Sequence, residues 1–241
     1  MPWAGRRVVA LLLAIAAVAA VGCTDEGGNN GQGPVVSPPT ATPGPSPAAT
    51  ETLRWAVEDV EHIVPGDATS RDELLVVSAL FEPLTRLDST GRPQPALARS
   101  WERLDGGRRW RFSLADDARF VGQDGDQRRV TAADVAFAWN RAAAKGEADY
   151  LLRDVEGYHG VATGQASRLS GVRVVDDSTL EVHLRRPHGA FDLVVSHPSL
   201  APLPRHRWRD DRSAMRQRPV GNGPYRMAEA VVPDRYIRVR A

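Results

Sequence analysis

Trp101-Glu102-Arg103-Leu104-Asp105-Gly106-Gly107-Arg108-Arg109-Trp110-Arg111-Phe112-Ser113-Leu114, with Thr131-Ala132-Ala133-Asp134-Val135-Ala136-Phe137-Ala138-Trp139 downstream of it, decides the fold class. In the first stretch Trp110, Phe112 and Leu114 alternate with polar residues and so share one face of a strand. Asp105-Gly106-Gly107 supplies the positive φ that a tight turn requires. In the second, Thr131 and Asp134 form a helix-opening capping box, and Val135, Ala138 and Trp139 recur on one side until Gly146 closes the helix. A hairpin and an amphipathic helix in one neighbourhood predict the α/β class, with mixed α+β character.

The same reasoning extends in both directions. Upstream, Leu53, Trp55 and Val57 alternate as a first strand should, and Ser70 with Glu73 opens a helix carrying Leu74, Val77, Leu80 and Phe81 up to Pro83. Residues 84–87 read as a short strand, Asp88-Ser89-Thr90-Gly91 as a turn, and Pro95-Ala96-Leu97-Ala98 as a helical turn. Downstream, 172–175 and 180–184 make a second hairpin around Asp176-Asp177-Ser178. A short helix is expected at 191–195, and an extended crossing segment at Pro202 and Pro204. Pro219-Val220-Gly221-Asn222-Gly223-Pro224-Tyr225 reads as a loop entering a strand, and 236–239 alternates again. There is no internal repeat.

The N-terminus speaks to compartment. Arg6 and Arg7 precede an apolar run, 8–21, that is short for a permanent bilayer span. Residues 1–22 are therefore expected to be a signal peptide; the flanks of Arg6-Arg7 suit the general secretory route better than twin-arginine export. The run ends in Ala20-Val21-Gly22-Cys23, which resembles the lipobox of bacterial lipoproteins. That resemblance implies cleavage before Cys23, acylation of its thiol and anchoring at the extracytoplasmic face of the cell membrane. Cys23 is the one cysteine in the chain, so no internal disulfide can form. Residues 23–51, rich in Pro, Gly, Ser and Thr, are expected to be a disordered tether, and 52–241 a folded region. Lys plus Arg total 31 against 30 for Asp plus Glu, interspersed along the chain, which argues against a nucleic-acid partner.

Several phrases in order resemble the family 5 bacterial extracellular solute-binding proteins, the oligopeptide- and dipeptide-binding lipoproteins of ABC importers. These are Leu80-Phe81-Glu82-Pro83-Leu84-Thr85-Arg86-Leu87-Asp88, Pro95-Ala96-Leu97-Ala98-Arg99-Ser100-Trp101-Glu102 and Trp110-Arg111-Phe112-Ser113-Leu114. Thr131-Ala132-Ala133-Asp134-Val135-Ala136-Phe137, Val172-Arg173-Val174-Val175-Asp176-Asp177-Ser178-Thr179-Leu180 and Val220-Gly221-Asn222-Gly223-Pro224-Tyr225 continue the series. The resemblance implies a periplasmic-binding-protein-like fold represented by its first lobe and inserted subdomain, with the second lobe largely missing. It implies capture of a peptide or other small solute and delivery to an ABC permease in the membrane. An alternative expectation is a truncated relative that acts at most as a surface interaction lipoprotein.

In that family the solute is walled in by two closing lobes, and backbone groups satisfy an extended ligand. The family-matched positions nearest the cleft are Glu61, His62 and Ile63, in the segment 61–66, and Asn222 and Gly223 in the 221–223 loop. Phe81 and Tyr225 are possible walls, although helical spacing makes Phe81 a core residue first. For Asn222, a ligand-approaching backbone and a mere turn read alike, because either uses Gly221 and Gly223. His62, His159, His183, His188, His197 and His206 show no metal-ligand spacing and read as ordinary histidines. Ser196-His197 and Asp116-Asp117 complete no catalytic set, so no enzyme, metal or cofactor is expected.

Overall fold

A computed structural model of the protein describes residues 57, 60–122, 125, 127–146, 149–230 and 237–240, all within the unit Arg54–Ala241. The leader, Cys23 and the spacer lie outside the described residues, as do Leu53 and Trp55 of the expected first strand.

Helix α1, Arg71–Leu80, begins where expected: the Ser70 hydroxyl accepts the Glu73 N–H (3.1 Å), and the Glu73 carboxylate accepts the Ser70 N–H (3.1 Å). It stops at Phe81, whose N–H still reaches Val77 O (2.8 Å). Strands β1, Thr85–Leu87, and β2, Pro93–Pro95, form a two-stranded antiparallel ribbon. Asp88 folds the turn between them by accepting the N–H groups of Thr90 (2.8 Å) and Arg92 (3.1 Å). The helical turn expected at Pro95–Ala98 is absent. The Leu97 N–H is taken by Pro83 O (3.1 Å) and the Ala98 N–H by Leu84 O (2.8 Å), so the chain bends at Ala96 and Leu97 and pairs with the segment before it. Pro93 and Pro95 sit in a two-stranded ribbon, where a missing N–H is tolerated.

Strand β3, Ala98–Leu104, passes through a 3-10 turn, Asp105–Gly107, into β4, Arg109–Leu114. Gly107, at φ 92°, lies so close to the backbone of His188 that a Cβ there would fall 2.8 Å from His188 O. A second ribbon, β5 (Arg119–Val121) with β6 (Gln127–Arg129), precedes helix α2, Ala132–Lys145, which ends on Gly146 at φ 78°. Two short helices follow, α3 (Asp149–Leu152) and α4 (Tyr158–Ala162). Strands β7, Val172–Val174, and β8, Thr179–His183, then complete a four-stranded antiparallel sheet in the order β3-β4-β8-β7.

The sheet's two faces follow from β4. Trp110, Phe112 and Leu114 are buried and alternate with Arg109, Arg111 and Ser113. On the outer face Arg111 stands between Glu102 and Glu181 and donates twice to Glu181 Oε1, at 2.6 and 2.9 Å. On the inner face Phe191 joins sheet to helix. It opens α5, Phe191–Val194, and its ring centroid lies 6.2 Å from that of Trp110 and 6.4 Å from that of Trp139 on α2. Each such aromatic pair adds about 0.5–1.5 kcal/mol beyond its burial.

A 3-10 turn, Pro198–Leu200, comes next, and Leu200 O accepts the Trp139 indole N–H (2.8 Å). After an extended stretch through Pro202 and Pro204, helices α6 (Arg205–Asp210) and α7 (Arg212–Gln217) appear where the sequence showed no helical period. Each buries one large apolar side chain, Trp208 or Met215, so no repeat is visible. Strands β9, Arg226–Met227, and β10, Val239–Arg240, pair antiparallel at the end.

Candidate functional site

Three places around α1 bear on function. The first is the segment 61–67, held by one carboxylate. Glu73 is 3% exposed, and its Oε1 accepts the N–H groups of Glu61 (3.2 Å) and His62 (2.8 Å). Its Oε2 accepts those of Thr69 (2.8 Å) and Ser70 (3.1 Å). Burial pushes the carboxyl up, but the four backbone bonds together outweigh it and hold it below its ordinary value. Glu61 and His62 face solvent, whereas the Ile63 side chain is 2% exposed and belongs to the core. Farther along, buried Asp67 pairs with Arg141 and Lys145 of α2, and Arg141 stacks over Trp208 at 4.1 Å. Glu61, His62, Ile63 and Asp67 border a recess of roughly 160 Å³ that Arg216 closes from α7.

The second place is the loop 221–223. The Asn222 amide donates to Glu82 O (2.9 Å) and accepts the Glu82 N–H (3.1 Å). The Gly223 N–H reaches Leu80 O (2.9 Å) and the Tyr225 N–H reaches Ala79 O (3.1 Å), so the loop satisfies carbonyls left open at the end of α1. Glycine is required here by contact. A Cβ on Gly223 would lie 2.6 Å from the Leu80 carbonyl carbon, and one on Gly221 would run into the Leu80 oxygen. The Asn222 side chain is thus committed to the backbone of Glu82. The two expected groups, 61–63 and 222–223, are held at opposite ends of α1, through Glu73 and Leu80. At ~1.5 Å per residue those attachment points are about 10 Å apart, so the fold does not gather the two groups into one cluster.

The third place is an open groove of roughly 610 Å³ between the end of α1, the β1 ribbon and the region around α5. Phe81, Leu87, Leu193 and Val194 give it apolar surface, and Glu82, Arg86 and His197 give it polar edges. Phe81 is fully buried beneath it, so the residue serves both as core and as floor. His197 Nδ1 accepts the Ser199 N–H (3.2 Å). That places the ring proton on Nε2, 3.2 Å from the Tyr150 hydroxyl oxygen, and leaves the phenol O–H to donate outward. Burial lowers the His197 pKa, which keeps the ring neutral, and raises that of Tyr150. Burial also raises Glu82, with Arg86 opposing and Asp117 reinforcing the shift. Tyr150 and His197 are 47 residues apart, and no sequence spacing joins them. Pro224, next to the 221–223 loop, also reaches this groove.

Residues 92–241 match the bacterial extracellular solute-binding proteins of family 5, in the region described as the middle of that family. The chain belongs to this family. It is 31% identical over 191 residues to the periplasmic oligopeptide-binding protein OppA of Escherichia coli, a match covering 74% of the chain and 32% of that protein. It is 36% identical over 137 residues to the probable deoxycholate-binding periplasmic protein YgiS of Escherichia coli, covering 54% of the chain and 25% of that protein. Among solved structures, OppA of Burkholderia pseudomallei superposes with a TM-score of 0.66 at 27% identity, covering 75% of this chain and 36% of that one. The matched part is thus about a third of the length of such relatives. Family members of this kind are solute-binding proteins of transport systems, and the mixed α/β fold is theirs.

Proposed function

We propose that the protein is an extracytoplasmic substrate-binding lipoprotein of a peptide-type ABC importer, and that the groove beside α1 forms one wall of its solute site. Residues 1–22 would be the leader, Cys23 the lipidated N-terminus, 23–51 the tether, and 52–241 the solute-binding region. A membrane permease would receive the solute.

The observation that carries this reading is the groove itself. Apolar surface at Leu87, Leu193 and Val194 lines it beside the polar edge of His197, in a chain 31% identical to an oligopeptide-binding protein. Apolar surface gives affinity without selecting a side chain, and a few fixed donors give orientation. Backbone at Glu61, His62 and Ile63 and at Asn222 and Gly223 would border the ligand, with the Asn222 amide retained by Glu82. A second wall closing over the solute would be stabilised by the solute's differential affinity for the closed state.

Calorimetry on the full-length natural protein with defined tri- to pentapeptides tests this. His197→Ala, which removes a polar edge of the groove, should weaken binding by up to about tenfold, the worth of one hydrogen bond. Leu193→Trp, which fills the groove, should abolish binding. Peptide binding that neither change affects, or binding of deoxycholate in place of peptides, would overturn the peptide reading.

A further inference from the structure

The near-neutral total charge hides one asymmetric stretch. Residues 205–218 contain six arginines and two aspartates. They fold as α6 and α7, which bury Trp208 and Met215 and leave Arg209, Arg212 and Arg216 exposed. Asp210 and Asp211 offset part of this charge and leave the segment with an excess of four arginines; Asp211 also caps α7, accepting the Ala214 N–H (2.8 Å). Arg128 of β6 adds to the same face. His206 of α6 lies below its ordinary pKa because of burial first, with Arg128 and Arg207 lowering it further and Asp134 and Asp210 opposing them.

Arg216 also borders the recess next to Glu61 and His62, so the basic face reaches from α6 and α7 to the rim of that recess. The arginines are spread along two short helices on an exposed face, a form suited to a broad anionic surface rather than to a single anion.

We propose that the α6–α7 arginine face rests on anionic phospholipid headgroups and so orients the folded region on the membrane. The proposal uses the lipid attachment at Cys23 only to bring the protein near that surface. A tether keeps the effective concentration of headgroups high, so a few arginines suffice for contact. Each arginine near an anionic bilayer contributes on the order of fivefold in partitioning, and salt screens the effect.

The test is co-sedimentation of the full chain carrying Cys23→Ser with vesicles of phosphatidylcholine alone or with phosphatidylglycerol added. The leader then contributes equally to every variant. The parent should bind the anionic vesicles more tightly, and Arg209→Gln/Arg212→Gln/Arg216→Gln should reduce that binding on the order of a hundredfold. Arg209→Lys/Arg212→Lys/Arg216→Lys, which keeps the charge, should bind like the parent, as should Arg153→Gln/Arg185→Gln/Arg186→Gln, placed elsewhere. Equal binding to both vesicle types, an unaffected Gln variant, or equal loss in the distant set would overturn the proposal. So would retention on polyglutamate without vesicle binding, which would assign the face to an acidic protein. Palmitate labelling in cells tests Cys23 separately, and its failure would leave the vesicle result standing.

Discussion

Glu73→Gln isolates the carboxylate that holds the 61–70 segment to α1. The substitution preserves shape and keeps one acceptor oxygen, but it turns the other into an amide that donates. One pair of backbone N–H groups, either Glu61 with His62 or Thr69 with Ser70, then faces a donor. A hydrogen bond to a charged acceptor is worth about 1.5–3 kcal/mol. Glu61, His62, Thr69 and Ser70 all sit at exposed positions, so water recovers part of the loss. The net cost should be about 2 kcal/mol, seen in urea unfolding or as a Tm drop of roughly 4–8 °C for a domain of this size. The sign of the pH dependence follows from the lowered pKa. A carboxyl whose folded value is depressed contributes its full stability above its unfolded value and loses it as the pH falls through the folded one. The difference between parent and Glu73→Gln should therefore be constant near neutrality and shrink toward zero in strong acid. A cost under about 0.5 kcal/mol, or a difference that grows on acidification, would refute the clamp.

Gly221→Ala should destabilise by about 3 kcal/mol or more, because its Cβ meets the Leu80 carbonyl and the loop must leave the end of α1; hydrogen exchange at Gly223 and Tyr225 would report that release. Phe191→Ala should cost about 3–5 kcal/mol in denaturant titration, since the ring fills the space between Trp110 and Trp139. The Asp88 carboxyl, held by the Thr90 hydroxyl and then by the Arg92 and Thr90 N–H groups, should titrate at about 2 by NMR. In Thr90→Ala it should move back toward the ordinary aspartate value of 3.8.

What was legible in the sequence was local. Ser70 with Glu73, Thr131 with Asp134 and the alternation through Trp110, Phe112 and Leu114 each act within a few residues, and all appear in the structure. Pro95–Ala98 misled because its partners, Pro83 O and Leu84 O, lie outside any local window. Helices α6 and α7 escaped because one buried side chain apiece makes no period. The groove was invisible for the same reason: Leu87, Leu193 and His197 meet only through folding, and nothing in Ser196-His197 distinguishes an oriented imidazole from a loop histidine. Glu73 could be read as a helix cap, but not as the holder of Glu61 and His62, twelve and eleven residues earlier.

These long-range bonds share one consequence for the groove. Helix α1 is fixed at its start by Glu73, which ties it to 61–70, and at its end by the 221–223 loop, which ties Leu80 and Glu82 through backbone and the Asn222 amide. Phe81 lies between those last two attachment points and forms the groove floor, so its position is set from both sides and from the core below. A wall ordered in advance loses little conformational freedom when a ligand settles on it, and ordering cost is what most reduces affinity at a given contact area. On the proposed reading, Gly221 would therefore bear on solute affinity through the floor it fixes: its substitution would loosen Phe81 by displacing the loop from Leu80.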